Sequence, residues 1–165
     1  MKFATILFGA FALVSAASGN PDTPKLRVSV LKKATCDRKS RVGDTIAMHY
    51  VGRLEDGSEF DNSLKRGKTF DFALGSGMVI EGWEKGLRGM CPGEERRLTI
   101  PPQLGYGMQS VGGIPAGSTL IFDTVLVGIN GDEIDYDVEA ALEKQEAKTS
   151  KLVAKAKAAQ EKEEL

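Results

Sequence analysis

The chain has 165 residues, 41% of them hydrophobic, with 22 Lys and Arg against 23 Asp and Glu. That is enough for one folded domain and some additional chain, not for a multidomain enzyme. A net charge of −1 offers no basic field to nucleic acid and no polybasic surface to anionic lipid, and one His (His49) with two Cys cannot supply the four N and S ligands of a zinc site.

Residues 1–19 read as a secretory signal peptide: Lys2, an apolar run from Phe3 to Val14, then the small residues Ser15 to Gly19. The run is too short to cross a bilayer and no other approaches that length, so no membrane span is expected once the leader is removed. From Pro24 to Ile129 the pattern is mainly strand. Leu26, Val28 and Val30 alternate with polar residues, as do Ile46, Met48 and Tyr50, and Leu98 with Ile100. Glu55-Asp56-Gly57 marks a turn, and Thr119–Ile129, apolar on both sides of its alternation, predicts a central strand. Val79, Trp83, Leu87 and Met90 recur at helical spacing and predict one short helix, ended by Gly89, Pro92 and Gly93 and weakened internally by Gly82 and Gly86. Antiparallel strands with one short helix predict an α+β fold in which a twisted sheet wraps the helix.

Composition shifts near residue 131. From Asp132 to Leu165 there are ten acidic residues against six lysines, whereas the preceding chain is mildly positive. The expected organisation is a domain over 20–131, a charged tail over 132–161 and a terminal tetrapeptide over 162–165. Residues 138–164 are rich in Ala, Glu and Lys without Gly or Pro, which predicts a helix. Its apolar positions Val138, Leu142, Leu152 and Val153 are sparse, so it should be solvated and add little to the core. Asp132, Asp135 and Asp137 lack the glycine and terminal glutamate of a calcium loop. The last four residues, Lys162-Glu163-Glu164-Leu165, are similar to the Lys-Asp-Glu-Leu retrieval signal. With the leader they predict residence in the endoplasmic reticulum lumen and capture by its retrieval receptor. An oxidising lumen favours a disulfide between Cys36 and Cys91 over two separate buried thiols, and their 55-residue spacing excludes the C-x-x-C motif of thiol exchange.

Reactive groups are scarce. No G-x-S-x-G elbow accompanies His49, which reads as a structural strand residue, and Gly105-Tyr106-Gly107 lacks the remainder of a phosphate loop. What the chain does hold is a supply of aromatic and aliphatic residues near turns and strand ends. In order, Tyr50-Val51-Gly52-Arg53-Leu54-Glu55-Asp56-Gly57, Phe60-Asp61-Asn62-Ser63, Val79-Ile80-Glu81-Gly82-Trp83, Leu104-Gly105-Tyr106-Gly107, Gly113-Ile114-Pro115 and Thr119-Leu120-Ile121-Phe122-Asp123 resemble the FKBP family of peptidyl-prolyl cis-trans isomerases, over residues 25–129. With the leader, the cysteine placement and the terminal tetrapeptide, the likeness extends to the small members of the endoplasmic reticulum lumen.

The resemblance implies rotation of X-Pro bonds in a dry aromatic pocket during folding of secretory proteins, with no cofactor or metal. It also implies binding of the macrolides tacrolimus and rapamycin. Catalytic contacts would come from Asp61, Tyr106, Phe122 and Tyr50. Trp83 would form the pocket floor and Phe60, Phe70, Val79, Ile80 and Ile114 its surround. Arg66 would pair with Asp61 and Tyr50, and the Ile80 N–H and Tyr106 would meet ligand carbonyls. The Met108–Ile114 loop departs from the best-known cytosolic members, with Val111-Gly112-Gly113 in place of bulkier residues.

Overall fold

The computed structural model describes residues 25–163, with side chains through Lys151. The leader read over 1–19 lies outside the described residues, as do the side chains of Leu152, Val153 and the 162–165 tetrapeptide.

Seven strands form one antiparallel sheet: β1 (Arg27–Lys32), β2 (Thr45–Arg53), β3 (Glu59–Asn62), β4 (Phe70–Ala73), β5 (Glu95–Ile100), β6 (Leu120–Ile129) and β7 (Asp132–Glu133). The main path runs β1-β5-β6-β2-β3. The second edge of β2 is divided: Thr45–Met48 pair with β4, and Val51–Arg53 with β3. The expected central strand is β6, which pairs with β2 along one edge and β5 along the other. Val28, Leu98, Phe122 and Gly52 stand side by side in register and therefore share one face. That inner face, with Ile46, Met48, Tyr50, Ile100, Leu120 and Leu126, packs on α1 (Glu81–Gly86) to make the core.

α1 is shorter than the expected 79–90 segment. Gly89 turns the chain at φ +70°, and the Arg96 guanidinium takes the carbonyls of Gly86, Arg88 and Gly89 at 2.8–3.0 Å, so the helix stops where its last acceptors are satisfied from the sheet. Its two glycines also have a packing reason. A Cβ on Gly82 would stand 2.5 Å from Ile100 and one on Gly86 2.7 Å from Leu98, so the backbone lies directly on β5. β1 follows the predicted alternation, yet Val28 and Val30 are about half exposed, because an edge strand paired only with β5 has little packed over it.

The sheet continues past residue 131 through an Asn130-Gly131 turn, both residues at positive φ, into β7. Tyr136 then stacks on His49 at 5.6 Å on the outer face. α2 (Val138–Glu163) follows. Among the described residues its one side-chain hydrogen bond to the domain is Gln145 Nε2 to Glu59, 3.1 Å. A cleft of about 780 Å3 separates it from the sheet, lined by charges of both signs. Among the described residues no helix is long and apolar enough to cross a membrane. Cys36 and Cys91 are joined, Cα atoms 5.5 Å apart, fastening the segment before β2 to the turn after α1. Ser40 bonds the same turn through Leu87 and Met90.

Candidate active site

On the inner face, where β2 passes from one edge partner to the other, the sheet, α1 and two loops enclose a cleft of about 380 Å3. Trp83, one turn into α1, is its floor and is 4% exposed. The rings of Tyr50, Phe122 and Phe70 meet the indole edge-on, with centroids at 5.0, 5.1 and 5.9 Å and interplanar angles of 80–84°. Phe60 stands edge-on to Phe122 at 5.5 Å. This geometry places ring edges against ring faces, as the aromatic quadrupole favours. It is admitted by Gly52: a Cβ there would lie 2.6 Å from Phe60 and 2.9 Å from Phe122.

Polar groups stand at one side of the cleft. Gly52 and Asp61 are register partners, which brings Asp61 beside Tyr50. The Tyr50 hydroxyl donates to the Asp61 carboxylate, Arg66 forms an ion pair with the same carboxylate, and Arg66 Nη2 donates to the Tyr50 oxygen at 3.0 Å. Burial pushes the Asp61 carboxyl up, but the bonds from Tyr50 and Arg66 outweigh it and hold the group below the ordinary carboxylate range. The Tyr50 phenol is pushed up to about 12, chiefly by burial and then by donating to Asp61. At neutral pH the carboxylate is therefore charged and the phenol keeps its proton, so this trio fixes charge and moves no proton. The turn after β3 is capped by Asn62, which accepts from Leu64 and Lys65, leaving Asp61 free to face the cleft.

The opposite wall comes from Val79 and Ile80, just before α1, and the Ile80 N–H has no acceptor among the described residues. Over the mouth lies the 106–114 loop, carrying Tyr106, which is partly exposed, and Ile114, which is buried. Val111 and Ile114 exchange backbone hydrogen bonds at 3.1 and 2.8 Å around Gly112 and Gly113, both at positive φ. The small residues are thus what a tight hairpin over the cleft requires.

Every pocket residue expected from the sequence except Arg66 lines this one cleft, and Arg66 stands behind Asp61. Met78, Val111 and Gly112 line it too and were not among the expected site residues. Their signal was position: an apolar residue directly after Gly75-Ser76-Gly77, and a hairpin tip beside Ile114. His49 lies on the outer face, 4% exposed, its Nδ1 3.1 Å from Ser63 Oγ. Burial foremost, then the Arg66 charge, lowers its pKa and keeps the imidazole neutral.

A family model described as FKBP-type peptidyl-prolyl cis-trans isomerase matches residues 36–127. FK506-binding protein 2 of Aspergillus oryzae is 51% identical over 130 residues, which are 78% of this chain and 92% of that protein. The human peptidyl-prolyl cis-trans isomerase FKBP2 is 47% identical over 127 residues, 76% of this chain and 89% of its own. Among solved structures, FkpA from Escherichia coli superposes with a TM-score of 0.58 at 40% identity, over 63% of this chain and 47% of that one. The matched span holds the sheet core, α1 and every residue of the aromatic cleft. The chain therefore belongs to the FKBP-type peptidyl-prolyl cis-trans isomerases, enzymes that interconvert the two forms of the X-Pro bond.

Proposed function

We propose that the X-Pro bond turns in the Trp83 cleft, and that the protein performs this step for chains folding in the endoplasmic reticulum lumen. Rotation breaks amide resonance against a barrier of about 18–20 kcal/mol and requires no proton transfer. The twisted amide carries less charge separation than the planar one. Moving it from water to an apolar enclosure therefore disfavours the planar ground state more than the transition state. Each 1.4 kcal/mol of that difference is roughly tenfold in rate, so about 4 kcal/mol accounts for a thousandfold. The proline ring would rest on Trp83 between Tyr50, Phe70, Val79, Ile80 and Phe122, with Phe60 and Ile114 closing the sides. Asp61, held by Tyr50 and Arg66, would meet the turning amide, while Tyr106 and the Ile80 N–H take flanking carbonyls.

The observation that carries this reading is the set of rings edge-on to a buried tryptophan, with the Asp61 carboxylate fixed at the rim. The same cleft would take tacrolimus and rapamycin, a reading supported by the name FK506-binding protein 2 borne by several relatives. The leader and Lys162–Leu165 support luminal residence through the retrieval receptor; deleting the tetrapeptide should move the protein into the medium of expressing cells, and unchanged retention would refute that part.

The site assignment is tested with the oxidised protein and a Leu-Pro peptide, with and without rapamycin. Asp61→Val and Phe122→Tyr should each slow isomerisation while circular dichroism is unchanged, and stoichiometric rapamycin should abolish it. Full turnover in both variants would overturn the assignment.

A further inference from the structure

The wall formed by Met78, Val79 and Ile80 belongs to the segment that joins β4 to α1. Gly75 and Gly77 in it adopt φ of +86° and +75°. Two such residues leave the segment many paths, so its course must be selected by contacts. Ser76 closes the first turn: its N–H and hydroxyl both donate to Ala73 O, and its Oγ accepts from Met78 N–H at 3.3 Å. None of these bonds reaches α1.

Glu84 supplies that link. Its side chain lies under the segment and the residue is 7% exposed. Oε2 accepts the Gly75 N–H and Oε1 accepts the Gly77 N–H at 2.9 Å, one oxygen for each amide. Its own N–H donates to Ile80 O at 3.2 Å, so one residue holds both ends of the wall. Among the described residues no Lys, Arg or His forms an ion pair with it. A buried carboxylate is costly unless strong hydrogen bonds replace its water, and the loop amides fill that role here. Favour for acids in a helix's first turn does not explain the placement, since the carboxylate reaches back to amides upstream of the helix. The neighbouring residue, Trp83, is the cleft floor.

We propose that Glu84 is a positioning residue for substrate binding: it locks the 75–80 wall against Trp83 and so sets how closely the cleft grips the residues around proline, without touching substrate. This rests on the reading of the Trp83 cleft as the prolyl site. Glu84→Gln keeps the volume but turns an N–H donor toward one of the two amides and offers the other only a neutral carbonyl, so one bond is broken and the other is weakened. The variant should raise KM for a Leu-Pro peptide about tenfold with kcat within twofold. In NMR spectra the Gly75 and Gly77 amide protons should move upfield and exchange at least tenfold faster, while Leu126 in the central strand is unchanged. Unchanged KM in a folded variant whose two amides have moved would overturn the proposal. Asp61→Val and Phe122→Tyr, measured beside it, separate the causes of failure. Full turnover in both would sink the site reading and the proposal with it; slowed turnover in either with an unchanged KM in Glu84→Gln would sink the positioning role alone. If Glu84→Gln does not fold, Glu84→Asp keeps the charge and loses the reach, and should raise KM likewise. The wild type gives a further check, because Gly75 and Gly77 amides exchanging at the rate of an unprotected loop would refute the contact itself.

Discussion

Replacing Gly52 with Ala separates the packing of the cleft from the stability of the sheet. The added Cβ would stand 2.6 and 2.7 Å from two ring carbons of Phe60 and 2.9 Å from Phe122 Cε1. Comfortable carbon contacts lie at about 3.5–4.0 Å, so the rings must retreat by about 1 Å. Phe60 is partly exposed and can swing, but Phe122 is 4% exposed and seated against Trp83 and Tyr50. Overpacking of this kind costs about 1–3 kcal/mol. For a domain of this size the melting temperature should fall by about 3–10 °C. Because the displaced rings are the cleft wall, and a misplacement of about 1 Å costs up to about 100-fold, kcat/KM should fall about 10- to 100-fold. Gly57→Ala is the control: at φ +86° with nothing within 4 Å, it incurs backbone strain of about 1–2 kcal/mol and should leave turnover unchanged. Calorimetry and the peptide assay read both quantities. Wild-type melting and turnover in Gly52→Ala would refute the ring placement, and equal loss of turnover in both variants would trace the effect to stability alone.

Replacing both Cys36 and Cys91 with Ser should cost about 4 kcal/mol, the loop-closure entropy for their 55-residue separation, read as a lowered urea midpoint; an unchanged midpoint would refute it. Burial pushes the Asp44 carboxyl up, but bonds from Arg41 N–H, Arg38 and Asn130 outweigh it and hold it below its unfolded value of about 3.9. Its stabilising effect is therefore full above about pH 4 and lost as pH falls through the folded value. Urea midpoints should drop below pH 4 and drop less in Asp44→Asn; equal slopes would refute the assignment. A chain ending after Asp137 keeps the Tyr136–His49 stack and loses one side-chain hydrogen bond from α2, so its turnover on a short peptide should change less than twofold.

Strand positions were legible because alternation records which side chains face the core, and Ile46-Met48-Tyr50 and Leu98-Ile100 do so directly. β1 shows the limit: Val28 and Val30 alternate, but their burial depends on what covers an edge, which no local pattern contains. Gly82 and Gly86 read as defects in a helix because propensity is local, whereas the contact with Leu98 and Ile100 that requires them joins residues on different elements. In the site, the aromatic residues came from family likeness, and the sheet register that joins Gly52 to Asp61 is what assembles them with Arg66. Glu84 stayed hidden because its partners are backbone amides, which carry no signature in a sequence.

The order in which the chain is made runs against the order of the sheet. β6 joins β2 to β5, yet it lies near the end of the domain. From Arg53 to Ile129 a ribosome must add 76 residues, about 4–15 s at 5–20 residues per second. Throughout that interval Ile46, Met48 and Val51 have no central strand to pair with, and the pairings that finally bury them span long stretches of chain, the kind that close slowly. A prolyl isomerase thus begins its own life with its middle strands waiting for each other, open to aggregation until the last of them has been made.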